Sequence, residues 1–385
     1  MGNHDVVRIG LLFSTTGSYE AIGRSMQGGA CLAVEQIASD PRFDFRFEAI
    51  PIDPGGRVEE YAQGAQHLLT RERVTHVIGC YTSSSRKEVL PCFEKYDGVL
   101  WYPSHYEGFE SSDNVIYTGA SPNQHIVPLA SYLLRTHGKN AFCIGSNYVW
   151  AWENNRILRE AVHAKGGKVL AERYFRVGEV DFAPVIRQIN DLRPSFIFNT
   201  LIGTSSYAFF RELHRATRDR GIDQPRMLPV ASCSLSEPEL LEIGPEACSG
   251  HVSSSVYFES IDSERNNSFV RCYRKKFPAA GPTSADAEAS YIAVHLLARA
   301  IRHAGSPDMR SVLAALPSVA MEAPQGKVQI DPDNRHCYLT PRIGISNANG
   351  GFDIIYEAPH PVRPDPYLVW QDLASNEAPQ LRIVS

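Results

Sequence analysis

Short apolar runs alternate along this chain with segments that carry apolar residues at helical spacing. Because continuous apolar strands separated by helices are typical of parallel sheets covered on both faces, this alternation predicts an α/β fold. At 385 residues the chain is long for one core, so we expect two doubly wound sheets in two domains. The predicted strands are 7–13, 74–80, 98–104, 140–146, 168–175, 195–203 and 226–232.

Two helix features can be read from the same pattern. Asp181 is a plausible N-cap for a helix whose inner face carries Val185, Ile186 and Ile189. The glycine pair in "MQGGACL" (residues 26–32) indicates a second helix that packs tightly against a neighbour.

Hydroxyl-bearing residues cluster after six of the predicted strands. Ser and Thr at such positions often cap the following helix, because their oxygens accept its free backbone N–H groups. The carboxyl ends of parallel strands also form the edge at which α/β sheets bind ligands. Six such loops at one edge favour a ligand cleft. The loops are "FSTTGSY", "CYTSSSR", "WYPSHYEG", "GSNYVWAW", "LIGTSSY" and "ASCSLSE".

The loop "GCYTSSSRKEVLP" (79–91) leaves three roles open for its hydroxyls. They could cap a helix that we expect to begin at Arg86, bind an anion together with Arg86 and Lys87, or hold a neutral polar ligand. We favour capping combined with a neutral ligand, because cations in a first helical turn more often point to solvent.

Composition narrows the class of protein. A net charge of -5 without a dense basic stripe argues against direct nucleic-acid binding. The eight cysteines form no CxxC motif, and several lie in apolar runs, as expected for reduced, buried thiols. No apolar run approaches the length of a membrane span. The N-terminal apolar stretch is short and follows Asp5, so we expect a cytoplasmic protein, or a periplasmic one if a signal peptide has been removed.

Catalytic motifs are not evident in the sequence. We find no GxSxG elbow, P-loop or HExxH motif, and no zinc-ligand spacing. Cys80 with His76 or His105 as base could be imagined as a nucleophile, but a lone cysteine at a strand end is more often part of the core. We therefore expect no enzyme activity, no catalytic residues, no metal and no cofactor.

Several stretches resemble the AmiC-like amide sensors of bacterial amidase operons. They are "DPGGRVEEY" (53–61), "GCYTSSSRKEVLP" (79–91), "YEGFESSDNVIYTGASPNQ" (106–124), "APQGKVQID" (323–331) and "RPDPY" (363–367). The chain resembles, more loosely, the urea- and branched-chain-amino-acid-binding proteins of ABC transporters. The resemblance implies a type I periplasmic-binding-protein fold of two lobes joined by three crossovers. Lobe 1 would contain 1–122 and 252–328, and lobe 2 would contain 123–251 and 329–385.

The resemblance also implies a function. Such sensors bind a short aliphatic amide between the lobes, sequester an RNA-binding antiterminator protein without amide, and self-associate in some cases. The alternative is a substrate-binding protein of an ABC transporter for urea or short-chain amides. An amide-hydrolysing enzyme is the third class, which an ammonia-release assay would reveal.

Ten residues match the ligand-contacting positions of the sensors. Ser104 stands where the sensors carry Thr, His105 replaces a Pro, and Trp150 replaces the second of two Tyr. The hydroxyls suit an uncharged amide, which has one acceptor and two N–H donors, and aromatic rings would enclose its alkyl end. The only acids evident in these loops are Glu107 and Glu153. The ten residues are Tyr81, Ser83, Tyr102, Ser104, His105, Tyr148, Trp150, Gly203, Thr204 and Tyr257.

Overall fold

A computed structural model of the protein describes residues 5–369. Its first part forms a five-stranded parallel sheet in the order β2-β1-β3-β4-β5. The elements are β1 (Asp5–Leu12), α1 (Glu20–Ser39), β2 (Phe45–Ile52), α2 (Val58–Thr70), β3 (His76–Gly79), α3 (Ser83–Lys95), β4 (Val99–Tyr102) and β5 (Val115–Tyr117).

The middle of the chain supplies most of a second, seven-stranded sheet. Its elements are α4 (Ile126–Thr136), β6 (Asn140–Ser146), α5 (Val149–Ala164), β7 (Lys168–Phe175), α6 (Ala183–Leu192), β8 (Phe196–Thr200), α7 (Gly203–Arg218), α8 (Gln224–Met227), β9 (Val230–Ser232), α9 (Glu237–Ile243) and β10 (Val252–Ser255).

The last part of the described chain completes both halves of the molecule. Its elements are α10 (Glu264–Lys276), α11 (Ala285–Ala304), α12 (Met309–Ala315), β11 (Ala320–Ala323), β12 (Gly326–Ile330), β13 (Cys337–Tyr338), β14 (Arg342–Ser346) and β15 (Phe352–Glu357). The second sheet has the order β15-β14-β10-β9-β8-β6-β7, in which β14 and β15 run antiparallel to their neighbours. Strands β11, β12 and β13 form a small antiparallel sheet.

The alternation of strands and helices therefore predicted the α/β architecture correctly. All seven predicted strands are present, although β2, β5 and the six strands from β10 to β15 were not foreseen. Helix α6 buries Val185, Ile186 and Ile189 as predicted, but its N-cap is Phe182. The Asp181 carboxylate instead accepts the backbone N–H of Ala183 at 3.2 Å.

Helix α1 packs on α11 through small residues. A Cβ atom on Gly29 would lie 2.0 Å from the carbonyl oxygen of Ala287, so only glycine allows this approach. The hydroxyl oxygens of Ser25 and Ser284 lie 3.0 Å apart beside it. The predicted tight helix packing is confirmed, and it joins the start of the chain to residues beyond 280.

The three crossovers divide the chain between two halves. The segment 252–328, which the resemblance placed in lobe 1, begins with β10 in the seven-stranded sheet and continues with α11 against α1. The lobe bounds remain a prediction, and residues 370–385 of predicted lobe 2 lie outside the described residues. Between residues 5 and 369, no helix combines the length and apolar character needed to cross a membrane.

Candidate functional site

A small cavity lies where the strand ends of the two sheets meet. Two short loops of the first half and two of the second half form its walls. Six of the ten predicted residues line it, together with Ile202, which the sequence did not single out. The lining residues are Tyr81, Ser83, Ser104, His105, Tyr148, Trp150 and Ile202.

Helix starts position these side chains. Ser83 is the first residue of α3, whose N-cap Thr82 accepts the Ser85 backbone N–H at 3.1 Å. Tyr148 is the N-cap of α5, and Ile202 is the N-cap of α7. The helix expected to begin at Arg86 thus begins at Ser83, because Thr82 rather than a later hydroxyl caps it.

Ser83 is nearly inaccessible to solvent, and its hydroxyl is engaged by the protein. The hydroxyl donates to the Glu107 carboxylate in a short hydrogen bond and accepts from Arg86 Nη1 at 3.3 Å. Since a hydroxyl has one proton and two lone pairs, Ser83 has one acceptor position left for a ligand N–H. Glu107 therefore orients Ser83, a relationship that the sequence did not reveal.

Arg86 is fully buried, so the expectation that it points to solvent is wrong. Its guanidinium pairs with Glu107 at 3.0 Å and Glu110 at 2.6 Å, and it lies 4.8 Å from the centre of the Tyr102 ring. Burial disfavours the charged form, but the two carboxylates outweigh it and raise the pKa of Arg86. Lys87 stays partly exposed and also pairs with Glu110. An anion site at this helix start would need free cations, whereas Arg86 is already neutralised.

The rings of Trp150 and His105 pack edge to face in the cavity wall, with their centroids 5.3 Å apart. The indole Nε1 of Trp150 is buried and has no hydrogen-bond partner among the described residues. Burial, followed by the charge of His125, lowers the pKa of His105 to about 3, so this imidazole is neutral. The wall of the cavity thus offers an unused donor beside an uncharged ring.

Asp286 is an acid at this site that the sequence did not identify. Its Oδ1 accepts the Ser104 hydroxyl at 2.9 Å, and His105 Nδ1 lies 3.8 Å away. Burial raises the pKa of Asp286 to about 7. The only local signal was the sequence "SADAEAS", in which Ser284 caps α11. Nothing in it indicates that the acid reaches a loop near residue 104.

Four predicted residues lie outside the cavity wall. Tyr102 donates its hydroxyl to the carbonyl of Tyr81 at 2.6 Å and packs on Arg86 beneath the site. Tyr257 is buried elsewhere, with its hydroxyl 2.8 Å from Asn266 Oδ1. The structure therefore assigns Tyr102 and Tyr257 contacts within the protein.

Gly203 and Thr204 form a contact between the two halves. Gly203 has φ +56°, and a Cβ there would lie 2.1 Å from the carbonyl oxygen of Ser18. Thr204 is exposed, and its backbone N–H donates to the same oxygen at 3.0 Å. These two residues thus hold the halves together near the cavity.

Cys80 lacks the properties of a nucleophile. Its side chain is buried, and this burial raises the pKa of the thiol to about 12, so the thiolate is scarce near neutral pH. All eight cysteines are free thiols. Among residues 5–369, no group of three His, Cys, Asp or Glu side chains is arranged to hold a metal ion.

Comparison with known proteins identifies the family. The sequence profile described as "Periplasmic binding protein domain" matches residues 7–372. A "Leu/Ile/Val-binding protein homolog 6" of Brucella abortus is 22% identical over 340 residues, which are 86% of this chain and 85% of the relative.

Solved structures show the same fold. An ABC-transporter solute-binding protein of R. palustris in complex with 4-hydroxybenzoate has a TM-score of 0.84 at 21% identity, covering 95% of this chain and 100% of that one. The branched-chain amino acid transporter substrate-binding protein of Streptococcus pneumoniae in complex with isoleucine has a TM-score of 0.78 at 21% identity, covering 92% and 99%. The fold is the type I periplasmic-binding-protein fold, and this chain belongs to the periplasmic binding protein domain family.

Proposed function

We propose that this protein binds a small neutral solute of the amide or urea type in the cavity between its two halves. The observation that carries the proposal is the absence of Lys and Arg from the seven residues that line the cavity. The nearby cation Arg86 is already paired with Glu107 and Glu110. A ligand carboxylate would therefore meet no free positive side chain there, whereas a neutral amide needs none.

The polar atoms at the cavity match an amide. The unpartnered Nε1 of Trp150 is a donor for the amide carbonyl, and Ser83 has an acceptor position for an amide N–H. Ile202 and the rings of Tyr148 and Trp150 provide apolar surface for a short alkyl chain.

We further propose that solute binding serves regulation. In this proposal a cytoplasmic sensor releases an RNA-binding antiterminator protein when the amide binds, and the sensor self-associates. The support is the sequence resemblance in the blocks 79–91, 106–124 and 363–367. Binding is expected to involve no nucleic acid, membrane or cofactor directly. Pull-down of the antiterminator from the same operon, with and without acetamide, tests this part.

A second candidate is the substrate-binding protein of an ABC transporter for urea or short-chain amides, working in the periplasm. Its support is the names of the similar proteins, which are solute-binding and amino-acid-binding proteins. The ligands in two of those structures, isoleucine and 4-hydroxybenzoate, carry carboxylates, so both belong in the ligand panel.

Thermal unfolding with a ligand panel tests the binding proposal. Acetamide, propionamide, butyramide and urea are compared with isoleucine, 4-hydroxybenzoate and buffer. A ligand at about 100 times its Kd stabilises the folded protein by about 2.7 kcal/mol, which gives a clear rise in melting temperature. We expect shifts with the neutral ligands. Shifts confined to the two carboxylates would overturn the proposal.

A further inference from the structure

A second small chamber adjoins the cavity. His105 lines both, and Ser104 of the first donates to Asp286 of the second. The two spaces therefore share a wall at residues 104–105. The residues that line the second chamber include His125, Ser254 and Asp286.

Two of the residues that line the second chamber, His125 and Asp286, present hydrogen-bond acceptors. His125 Nε2 lies 2.9 Å from the carbonyl oxygen of Tyr106, so this nitrogen carries the proton and Nδ1 has a bare lone pair. Nδ1 of His125 is buried without a hydrogen-bond partner in the described part of the chain. Ser254 is no free donor, because its hydroxyl donates to the carbonyl of His125 at 2.8 Å.

Asp286 adds a carboxyl group that no Lys or Arg in the described part of the chain neutralises. In residues 5–369, neither Lys nor Arg forms an ion pair with it, and the nearby His105 is neutral. A second buried acid, Glu239, lies nearby, and burial, followed by the charge of Asp286, raises the pKa of Glu239 to about 8. Burying a carboxylate without a positive partner is costly, and a ligand that supplies one would offset that cost.

We propose that the ligand has two polar ends: a neutral amide end that meets Ser83 and Trp150, and an amine end whose N–H groups meet Asp286 and His125. The ligand class is therefore a short amino amide. This inference rests on the proposed function and extends it, because a simple aliphatic amide would leave the second chamber's acceptors unpaired.

Matched pairs of ligands test the proposal in the wild-type protein. Glycinamide and propionamide differ only by an ammonium in place of a methyl group, as do β-alaninamide and butyramide. Calorimetric titration at pH 7 should give at least one amine about tenfold tighter than its methyl counterpart, as expected for a hydrogen bond to a charged group. Equal affinities within both pairs would overturn the inference while leaving amide binding intact. Binding of neither member would instead overturn the proposed function.

The variant Asp286→Asn tests whether the tighter binding of the amine depends on the Asp286 carboxylate. It should reduce the affinity ratio of the favoured pair to about one, because the carboxylate charge is lost. Glu288→Gln is the matched control, since Glu288 is a buried acid on the same helix that bonds Gln325 rather than lining either chamber. A ratio that survives in Asp286→Asn would contradict the role of Asp286. If that variant does not fold, Ser104→Ala, which removes the orienting hydrogen bond, takes its place.

Discussion

Ser104 donates a hydrogen bond of 2.9 Å to Asp286, which lies 182 residues further along the chain. This bond joins the end of β4 to the first turn of α11. It places a buried acid beside loops whose own residues are neutral hydroxyls and rings. The chemistry of the site therefore depends on a residue from a distant segment.

Removing the Ser83 hydroxyl is expected to weaken binding of the neutral ligand. Ser83→Ala removes an acceptor for the ligand N–H and also leaves Glu107 without its short hydrogen bond. We expect a loss of about 1–3 kcal/mol in binding free energy, measured by calorimetry with the best amide. Ser84→Ala is the control, because Ser84 is adjacent but does not line the cavity. An unchanged affinity in Ser83→Ala would show that the ligand binds elsewhere.

The unpaired indole nitrogen of Trp150 leads us to expect opposite effects of its removal on stability and on amide binding. Trp150→Phe removes a buried donor that has no partner among residues 5–369, so the free energy of unfolding without ligand should stay the same or increase. The affinity for an amide should fall, by about 1–3 kcal/mol, because its carbonyl loses its donor. Trp152→Phe is the control, since that indole is exposed and bonds Asn147. Tighter amide binding by Trp150→Phe would refute the assigned contact.

The buried ion pairs of Arg86 predict a large loss of stability. Arg86→Met leaves Glu107 and Glu110 without their main counter-ion, and breaking such a pair costs about 3–5 kcal/mol. Lys87→Met removes a partly exposed cation from the same Glu110, so we expect a loss below about 1 kcal/mol. Urea unfolding of both variants measures the difference. Similar losses would mean that Arg86 is not the principal counter-ion.

Asp286 also predicts a dependence of stability on pH. Its folded-state pKa, about 7, exceeds the ordinary 3.8, so between these values the folded protein keeps a proton that the unfolded chain releases. The contribution of Asp286 to stability therefore decreases as pH rises from about 4 to 7.

Buried histidines near Asp286 change the stability with pH in the opposite direction. Burial lowers the pKa of His125 to about 4, so protonation of the unfolded chain costs stability as pH falls below 6.5. The two effects oppose each other in the wild type, and the difference between wild type and Asp286→Asn isolates the acid. Relative to wild type, the variant should become more stable as pH increases from 5 to 7. Parallel curves from urea unfolding would rule out the shifted pKa.

Local patterns were enough to predict the strand–helix alternation, the buried face of α6 and the close packing at Gly29. They also placed hydroxyl-rich loops at one sheet edge, although only the resemblance to the amide sensors singled out Tyr81, Ser83, Ser104, His105, Tyr148 and Trp150, which line one cavity. The physical reason is that strand period, helix period and capping each depend on residues a few positions apart.

The tertiary structure alone decided where the charges lie. Arg86 is buried rather than exposed because Glu107 and Glu110 from another loop pair with it. Asp286 lies at the site rather than at the surface because it contacts Ser104. The cost of burying a charge is set by all the groups around it in space. Local sequence patterns therefore cannot predict which charged side chains are buried. The sequence by itself determined the architecture and the neutral wall of the cleft, whereas the folded chain brought the acid to it.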